Sequence, residues 1–170
     1  MLGRLLRFSL PALLTITLLR CGSKGPSHIL GLENLPPEQQ ELLKKAVDEF
    51  NTRSGKQLLA FEDSGGLPIH VEKTPSADIE GIEPSQPLRL GYAVLSASDC
   101  KIQISEKIFK SDTKEYYTLV QWHEFGHCFG LGHEPDPKAI MHTTNHPLNF
   151  YSPEAVQSFF HRLIGSVDLR

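Results

Sequence analysis

The sequence predicts three helices, and the first of them shows apolar residues at three- and four-residue spacing. The first segment, residues 36–55, opens with two prolines and closes with a glycine, which suit a helix start and a helix end. The second extends from about residue 113 to residue 131. The third, residues 152–165, opens with Ser-Pro, a good N-cap followed by a favourable first residue.

Four short segments between the first and second helices have the composition of β-strands, and each is bounded by Gly, Pro, Ser or Asp. They are QLLAFE (57–62), PIHVE (68–72), RLGYAVLS (89–96) and KIQIS (101–105). The stretch TPSADIEGIEPSQP is turn-rich and predicts a surface loop. The order helix, strands, helix, turn, helix predicts an α+β domain with one sheet.

The N-terminal segment has the layout of an export signal. Arg4 and Arg7 precede an apolar run from Phe8 to Leu19, and Cys21 follows. The run is too short to span a bilayer comfortably. Its end, LLRCGS, resembles a bacterial lipobox, in which the cysteine is lipidated and becomes the mature N-terminus. Cys21 is therefore a candidate for lipidation, with ordinary cleavage nearby as the alternative.

These features divide the chain into three predicted parts. Residues 1–21 are the export signal, residues 22–35 a flexible tether rich in Gly, Ser and Pro, and residues 36–170 the folded domain. The protein is then expected outside the cytoplasm, held to a bacterial membrane by lipid, or periplasmic or extracellular. In that oxidising compartment Cys100 and Cys128 can form a disulfide, although the sequence does not require one.

Composition and charge narrow the possible partners. The 170 residues, 39% of them hydrophobic, suit one globular domain. The formal charge is −3, and it becomes −6 without the three arginines of the export signal. This net negative charge lacks the excess of basic residues that is typical of nucleic-acid-binding proteins. We expect no nucleic-acid partner, membrane contact only through an N-terminal lipid anchor, and a monomer.

A dense cluster of histidines, HEFGHCFGLGHE, begins at His123. His123 and His127 are four residues apart and project from one helix face. Glu124 follows His123 in the chain. We expect it to lie next to a metal bound by the two histidines, without being a ligand itself. Gly130 allows the helix to stop and the chain to turn back, so that His133 reaches the same ion. Three histidines with one open position are typical of catalytic zinc, and we predict one such ion.

The pattern HExxHxxGxxH resembles that of the metzincins, a clan of zinc metalloproteases, and HEFGHCFGLGH is most similar to the matrixins. Matrixins place a methionine in a tight turn beneath the zinc, and Met141, eight residues after His133, has a similar spacing. The resemblance covers residues 35–165. It implies a metzincin-type zincin fold: a small mixed twisted sheet with a packing helix, an active-site helix and a C-terminal helix. His142 and Thr143 replace the tyrosine and proline usual after the methionine, so the substrate pocket departs from the family pattern.

The resemblance implies hydrolysis of internal peptide bonds in extracellular or periplasmic proteins. Glu124 is expected to accept the proton of a zinc-activated water and to pass it to the leaving amine. A peptide or protein substrate is expected to add as a strand along KIQIS, taken as the sheet edge. Two alternatives remain open. One is a catalytically silent, zinc-containing surface lipoprotein that binds peptides or a partner, and the other is a structural zinc closed by Glu134 as fourth ligand.

Overall fold

A computed structural model describes most of the predicted domain. The described residues are 25–75, 90–109, 116–143 and 150–168. The predicted export signal with Cys21 lies outside them, as do most of the predicted surface loop and the start of the predicted second helix. Within these ranges, no helix combines the length and the apolar character needed to cross a bilayer.

The described residues form five strands and three α-helices. In chain order these are β1 Ser27–Leu30, α1 Pro37–Ser54, β2 Leu59–Ala60, β3 Pro68–Thr74, β4 Gly91–Leu95, β5 Cys100–Ser105, α2 Tyr117–Cys128 and α3 Pro153–Asp168. Short 3₁₀ turns at Leu32–Asn34 and Glu106–Phe109 follow β1 and β5. All four predicted strands and all three predicted helices are present. The predicted fold class, helices packed with one mixed sheet, is confirmed.

The sheet is mostly parallel. Its spatial order is β2-β1-β3-β5-β4, and only the β4–β5 pair is antiparallel. In register, Ile69 of β3 pairs with Cys100 of β5, and Gly91 of β4 pairs with Ile104. β4 is thus the last strand at one end of the described sheet. It also contacts α2.

The prediction that KIQIS forms the sheet edge is wrong. β5, which contains this segment, lies between β3 and β4, and its Ile102, Gln103 and Ile104 are all buried. Among the described strands β4 is the terminal one instead, and it exposes Val94 and Leu95. A strand's place in a sheet depends on which partners flank it, and alternation within five residues carries no such information.

The predicted flexible tether over residues 22–35 is also wrong for its described part. Ser27–Leu30 pairs in parallel with both β2 and β3, and therefore lies inside the sheet. Ser27 and Ile29 are buried. A four-residue strand offers too little alternation to be recognised when Gly, Ser and Pro surround it. The folded domain therefore begins before residue 36.

The three helices meet in an aromatic core. α1 buries Phe50 on the face that its apolar spacing predicts. The Phe50 ring lies 5.3–6.3 Å from four other phenylalanine rings of α2, its C-cap and α3: Phe125, Phe129, Phe159 and Phe160. Aromatic side chains bury large areas and pack edge-to-face at such distances. The helix that carries the histidine cluster is thereby fixed from two sides.

Two helix ends differ from prediction. α2 ends at Cys128, before the predicted residue 131, and α3 continues through Gly165 to Asp168. Lys56 Nζ lies 2.8 Å from an Asp168 carboxylate oxygen, and Ser166 Oγ donates to the carbonyl of Phe129 at 3.1 Å. These contacts stabilise the last turn of α3, so Gly165 does not end the helix.

Candidate active site

Three histidine side chains converge at the end of α2. His127 Nε2 lies 3.1 Å from His123 Nε2 and 3.2 Å from His133 Nε2. One ligand atom from each lies within 4.8 Å of the others. Among the described residues, no other group of His, Cys, Asp or Glu side chains has this arrangement.

A tight reversal after α2 brings the third histidine back. Gly130 has a φ of +81°, in the left-handed region that glycine adopts without steric cost. The N–H of Leu131 donates to the carbonyl of Gly126 at 2.9 Å, and the N–H of Gly130 to that of His127 at 2.8 Å. This is the hydrogen bonding of a helix C-terminus closed by glycine. His133 consequently faces the helix that ends just before it.

Backbone carbonyls fix the tautomers of the two helical histidines. His123 Nδ1 lies 2.8 Å from the carbonyl oxygen of Ile140, and His127 Nδ1 lies 2.8 Å from that of Leu131. Because a carbonyl only accepts, each Nδ1 donates and each Nε2 presents a lone pair. Two lone pairs 3.1 Å apart repel each other unless a cation lies between them. Such backbone partners are the usual supports of metal-binding histidines.

The spacing of the nitrogens also fits zinc. Zn–N bonds of ~2.0–2.1 Å in tetrahedral geometry separate ligand nitrogens by about 3.3–3.4 Å. The observed 3.1 and 3.2 Å are close to that separation. The donor set, three imidazoles, is one that catalytic zinc takes.

Burial keeps the imidazoles of His123 and His127 neutral. It lowers the pKa of His123 to about 3, against the raising effect of its bond to the Ile140 carbonyl. The pKa of His127 is also lowered, chiefly by burial. A neutral imidazole is the form that binds a metal. The pair is therefore ready for a metal at neutral pH.

Met141 lies beneath α2. It is fully buried, and a Cβ on Gly126 would stand only 2.6 Å from its Sδ. The N–H of Glu134 donates to the Met141 carbonyl at 2.9 Å, which ties the turn to the residue after His133. The role of Gly126 escaped sequence reasoning, although the glycine lies inside the motif. It leaves space for the methionine.

Glu124 lies against the edge strand. Its side chain is buried, with 3% of the residue's surface exposed. A Cβ on Gly91 of β4 would stand 2.5 Å from Glu124 Oε1 and 2.8 Å from Val120 Cγ1. Gly91 was not singled out from the sequence, although a glycine inside a strand pattern often marks close approach of another group.

Glu134 pairs with an arginine of α3. Its Oε1 accepts a hydrogen bond from Arg162 Nη2 in an ion pair that links the loop to α3. The group that can hold a metal contains the three histidines and not Glu134. Arg162 escaped sequence reasoning, because nothing near it in the chain marks it as part of a site.

Cys100 and Cys128 form a disulfide, with their Cα atoms 5.6 Å apart. Both residues are buried. The bond joins the first residue of β5 to the last residue of α2, directly after His127. It therefore ties the helix that carries the histidine pair to the sheet.

The fold and this site define a zinc metallopeptidase, a hydrolase of the metzincin type. The family model for matrixin peptidases matches residues 48–153. This match covers more than half of the chain, and the protein belongs to the matrixin family. A search of the curated proteins finds no match.

Solved structures show the same fold. The matches comprise 31 chains, among them archaemetzincin from Methanopyrus kandleri. That alignment has a TM-score of 0.54 and 14% sequence identity, and it covers 87% of this chain and 99% of the other. At such low identity the likeness is evidence of the fold alone.

Proposed function

We propose that the protein is a zinc-dependent endopeptidase of exported proteins, with Glu124 as its general base. One observation carries the proposal: a buried carboxylate, next in the chain to the first of three clustered histidines, lies against the terminal strand of the described sheet. The metal, the proton acceptor and the substrate-binding edge are then adjacent.

His123, His127 and His133 would hold the ion through Nε2. When bound, zinc lowers the pKa of a water molecule to about 7 and polarises the scissile carbonyl. The ion pair between Glu134 and Arg162 supports a coordination position left open for that water, because a fourth protein ligand would close it. This arrangement favours turnover over a purely structural site.

Glu124 would move the proton. Its carboxylate accepts the proton of the attacking water and then delivers it to the leaving amine. The contact with Gly91 places Oε1 beside the strand along which the substrate lies. One group can therefore serve both the attack and the departure of the amine.

The substrate would extend the sheet along β4. A peptide added to a terminal strand gains main-chain hydrogen bonds, while pockets for alternate side chains provide selectivity. Val94 and Leu95 are 41% and 38% exposed, so β4 offers an apolar surface beside the strand. This edge replaces KIQIS as the expected docking strand.

The site of action would be outside the cytoplasm. The arginines, apolar run and lipobox-like cysteine of residues 1–21 support export with a lipid on Cys21. The disulfide between Cys100 and Cys128 supports an oxidising compartment. We propose a monomer, attached to a membrane by the lipid alone.

Glu124→Gln tests the proposed reaction. We expect it to retain one zinc per chain and to lose cleavage by about 10²–10⁴-fold, because the proton acceptor is gone. The zinc-loaded protein and the variant are incubated with a complex peptide mixture, and new termini are mapped by mass spectrometry. Chelation of the zinc should also abolish cleavage.

Glu62→Gln is the matched control, since Glu62 is exposed and far along the chain from the motif. It should cleave at the parental rate. Full activity of Glu124→Gln would assign the proton transfer to another group. No cleavage by a zinc-loaded parent would favour the silent surface lipoprotein.

A further inference from the structure

The third histidine has less support from secondary structure than the other two. His123 and His127 belong to α2, and each Nδ1 contacts a backbone carbonyl. His133 lies in a stretch without helix or strand, and the residue is exposed. Contacts of the neighbouring loop residues therefore also help to set its place near the helix.

Glu134, the next residue, has two such contacts. Its N–H donates to the carbonyl of Met141 at 2.9 Å, and its carboxylate accepts from Arg162 Nη2. The side chains of Glu134 and Arg162 are 29% and 36% exposed. An ion pair that is partly shielded from water interacts more strongly than one in bulk solvent.

Arg162 offers a rigid partner. It lies in the middle of α3, between Phe159 and Leu163, which are buried in the core. Its Nε is buried as well. Because α3 packs in the core through these residues, the backbone that carries the Arg162 guanidinium is held in place. The planar group is preorganised for a carboxylate.

We propose that Arg162 is a positioning residue for the metal ligand His133. Its ion pair with Glu134 holds the loop that contains His133 against α3, and this restraint slows loss of the metal. The inference rests on the proposed function only in taking the three histidines as zinc ligands. It requires nothing of catalysis.

Zinc release tests the inference. The full-length, zinc-loaded protein is mixed with an excess of a chromogenic chelator, and the rate of colour formation is recorded. We expect Arg162→Gln and Glu134→Gln each to speed release on the order of 10- to 100-fold, the range found for residues that orient metal ligands. Thermal unfolding of each variant confirms that it is folded.

The pair should behave as a unit. The double variant Glu134→Gln/Arg162→Gln should release zinc no faster than either single variant, because both remove the same interaction. The exchanged variant Glu134→Arg/Arg162→Glu should recover part of the slow release. A residue that only stabilises α3 would show neither effect.

Asp168→Asn is the matched control. Asp168 is also on α3, but its ion pair with Lys56 does not touch the His133 loop. We expect parental zinc release. Release from Arg162→Gln within about twofold of the parent, or equal acceleration by Asp168→Asn, would overturn the inference.

The outcomes separate the two proposals. If the parent binds zinc but cleaves no peptide, the proposed function is contradicted. Accelerated zinc release from Arg162→Gln would still support the inference. If the parent cleaves peptides but Arg162→Gln releases zinc at the parental rate, only the inference is contradicted. A parent that binds no zinc overturns both.

Discussion

Gly91 does not have a positive φ angle, so its backbone conformation does not require glycine. Space requires it instead. A Cβ there would stand 2.5 Å from Glu124 Oε1 and 3.0 Å from its Cδ, and real Cβ contacts are not that close. The missing side chain therefore sets how near the carboxylate lies to the edge strand.

Gly91→Ala should displace the Glu124 carboxylate and lower kcat by about 10- to 100-fold, the cost of misplacing a reacting group by ~1 Å. Zinc content should not change, since the atoms nearest the added Cβ belong to Glu124 and Val120 and not to the histidines. Steady-state kinetics and zinc analysis check both points. Gly165→Ala is the control, because nothing lies within 4 Å of a Cβ added there. A parental kcat for Gly91→Ala would contradict the argument.

The convergence of the three histidines could be predicted because local geometry relates them. Helical spacing puts His123 and His127 on one face, and one glycine lets His133 return. Arg162 could not be predicted in the same way. It contacts Glu134 across 28 residues, and only the packing of α3 brings the two together.

The elements were predictable in proportion to their length. α1 shows its apolar face over 18 residues, so its bounds were nearly correct. β1 has four residues within a linker-like composition, too few for its pattern to predict a strand. The edge position of β4 could not be predicted either, since strand order depends on contacts between distant segments.

The disulfide between β5 and α2 should make a large contribution to stability. It closes a loop over 28 residues, for which the loss of chain entropy in the unfolded state is worth about 3–4 kcal/mol. We expect Cys100→Ala/Cys128→Ala to lower the free energy of unfolding by roughly that amount, measured by chemical denaturation.

A reductant provides the control for this prediction. When the parent is unfolded in reductant, its free energy of unfolding should fall. That of the double variant should not change, because the variant has no disulfide between these positions. A loss below about 1 kcal/mol in the double variant would show that the aromatic core, rather than the disulfide, fixes α2.

At the scale of the molecule, the family match and the described fold do not coincide. The match starts at residue 48, inside α1, and ends at residue 153, where α3 begins. It contains the three histidines, Glu124 and Met141, whereas β1 and Arg162 lie beyond it. The matched range also contains β2 to β5 and α2, whereas most of α1 and nearly all of α3 lie outside it.

The proposed lipid anchor decides where the whole molecule works. Cys21→Ser should move the protein from the membrane fraction to the soluble fraction of exported proteins, because lipidation needs the cysteine thiol. Cell fractionation and mass spectrometry of the mature N-terminus measure this. Cys100→Ala/Cys128→Ala should stay with the membrane. Membrane retention of Cys21→Ser would exclude this anchor.

The early start of β1 has a consequence for that anchor. Only five residues separate Cys21 from Ser27, the first residue of β1. Six steps of ~3.3–3.6 Å reach about 20 Å, less than the ~40 Å diameter of a domain of this size. A lipidated form therefore could not stand away from the bilayer and sample the surrounding volume. It would search in two dimensions, and its substrates would be proteins with cleavage sites within a few nanometres of the same membrane.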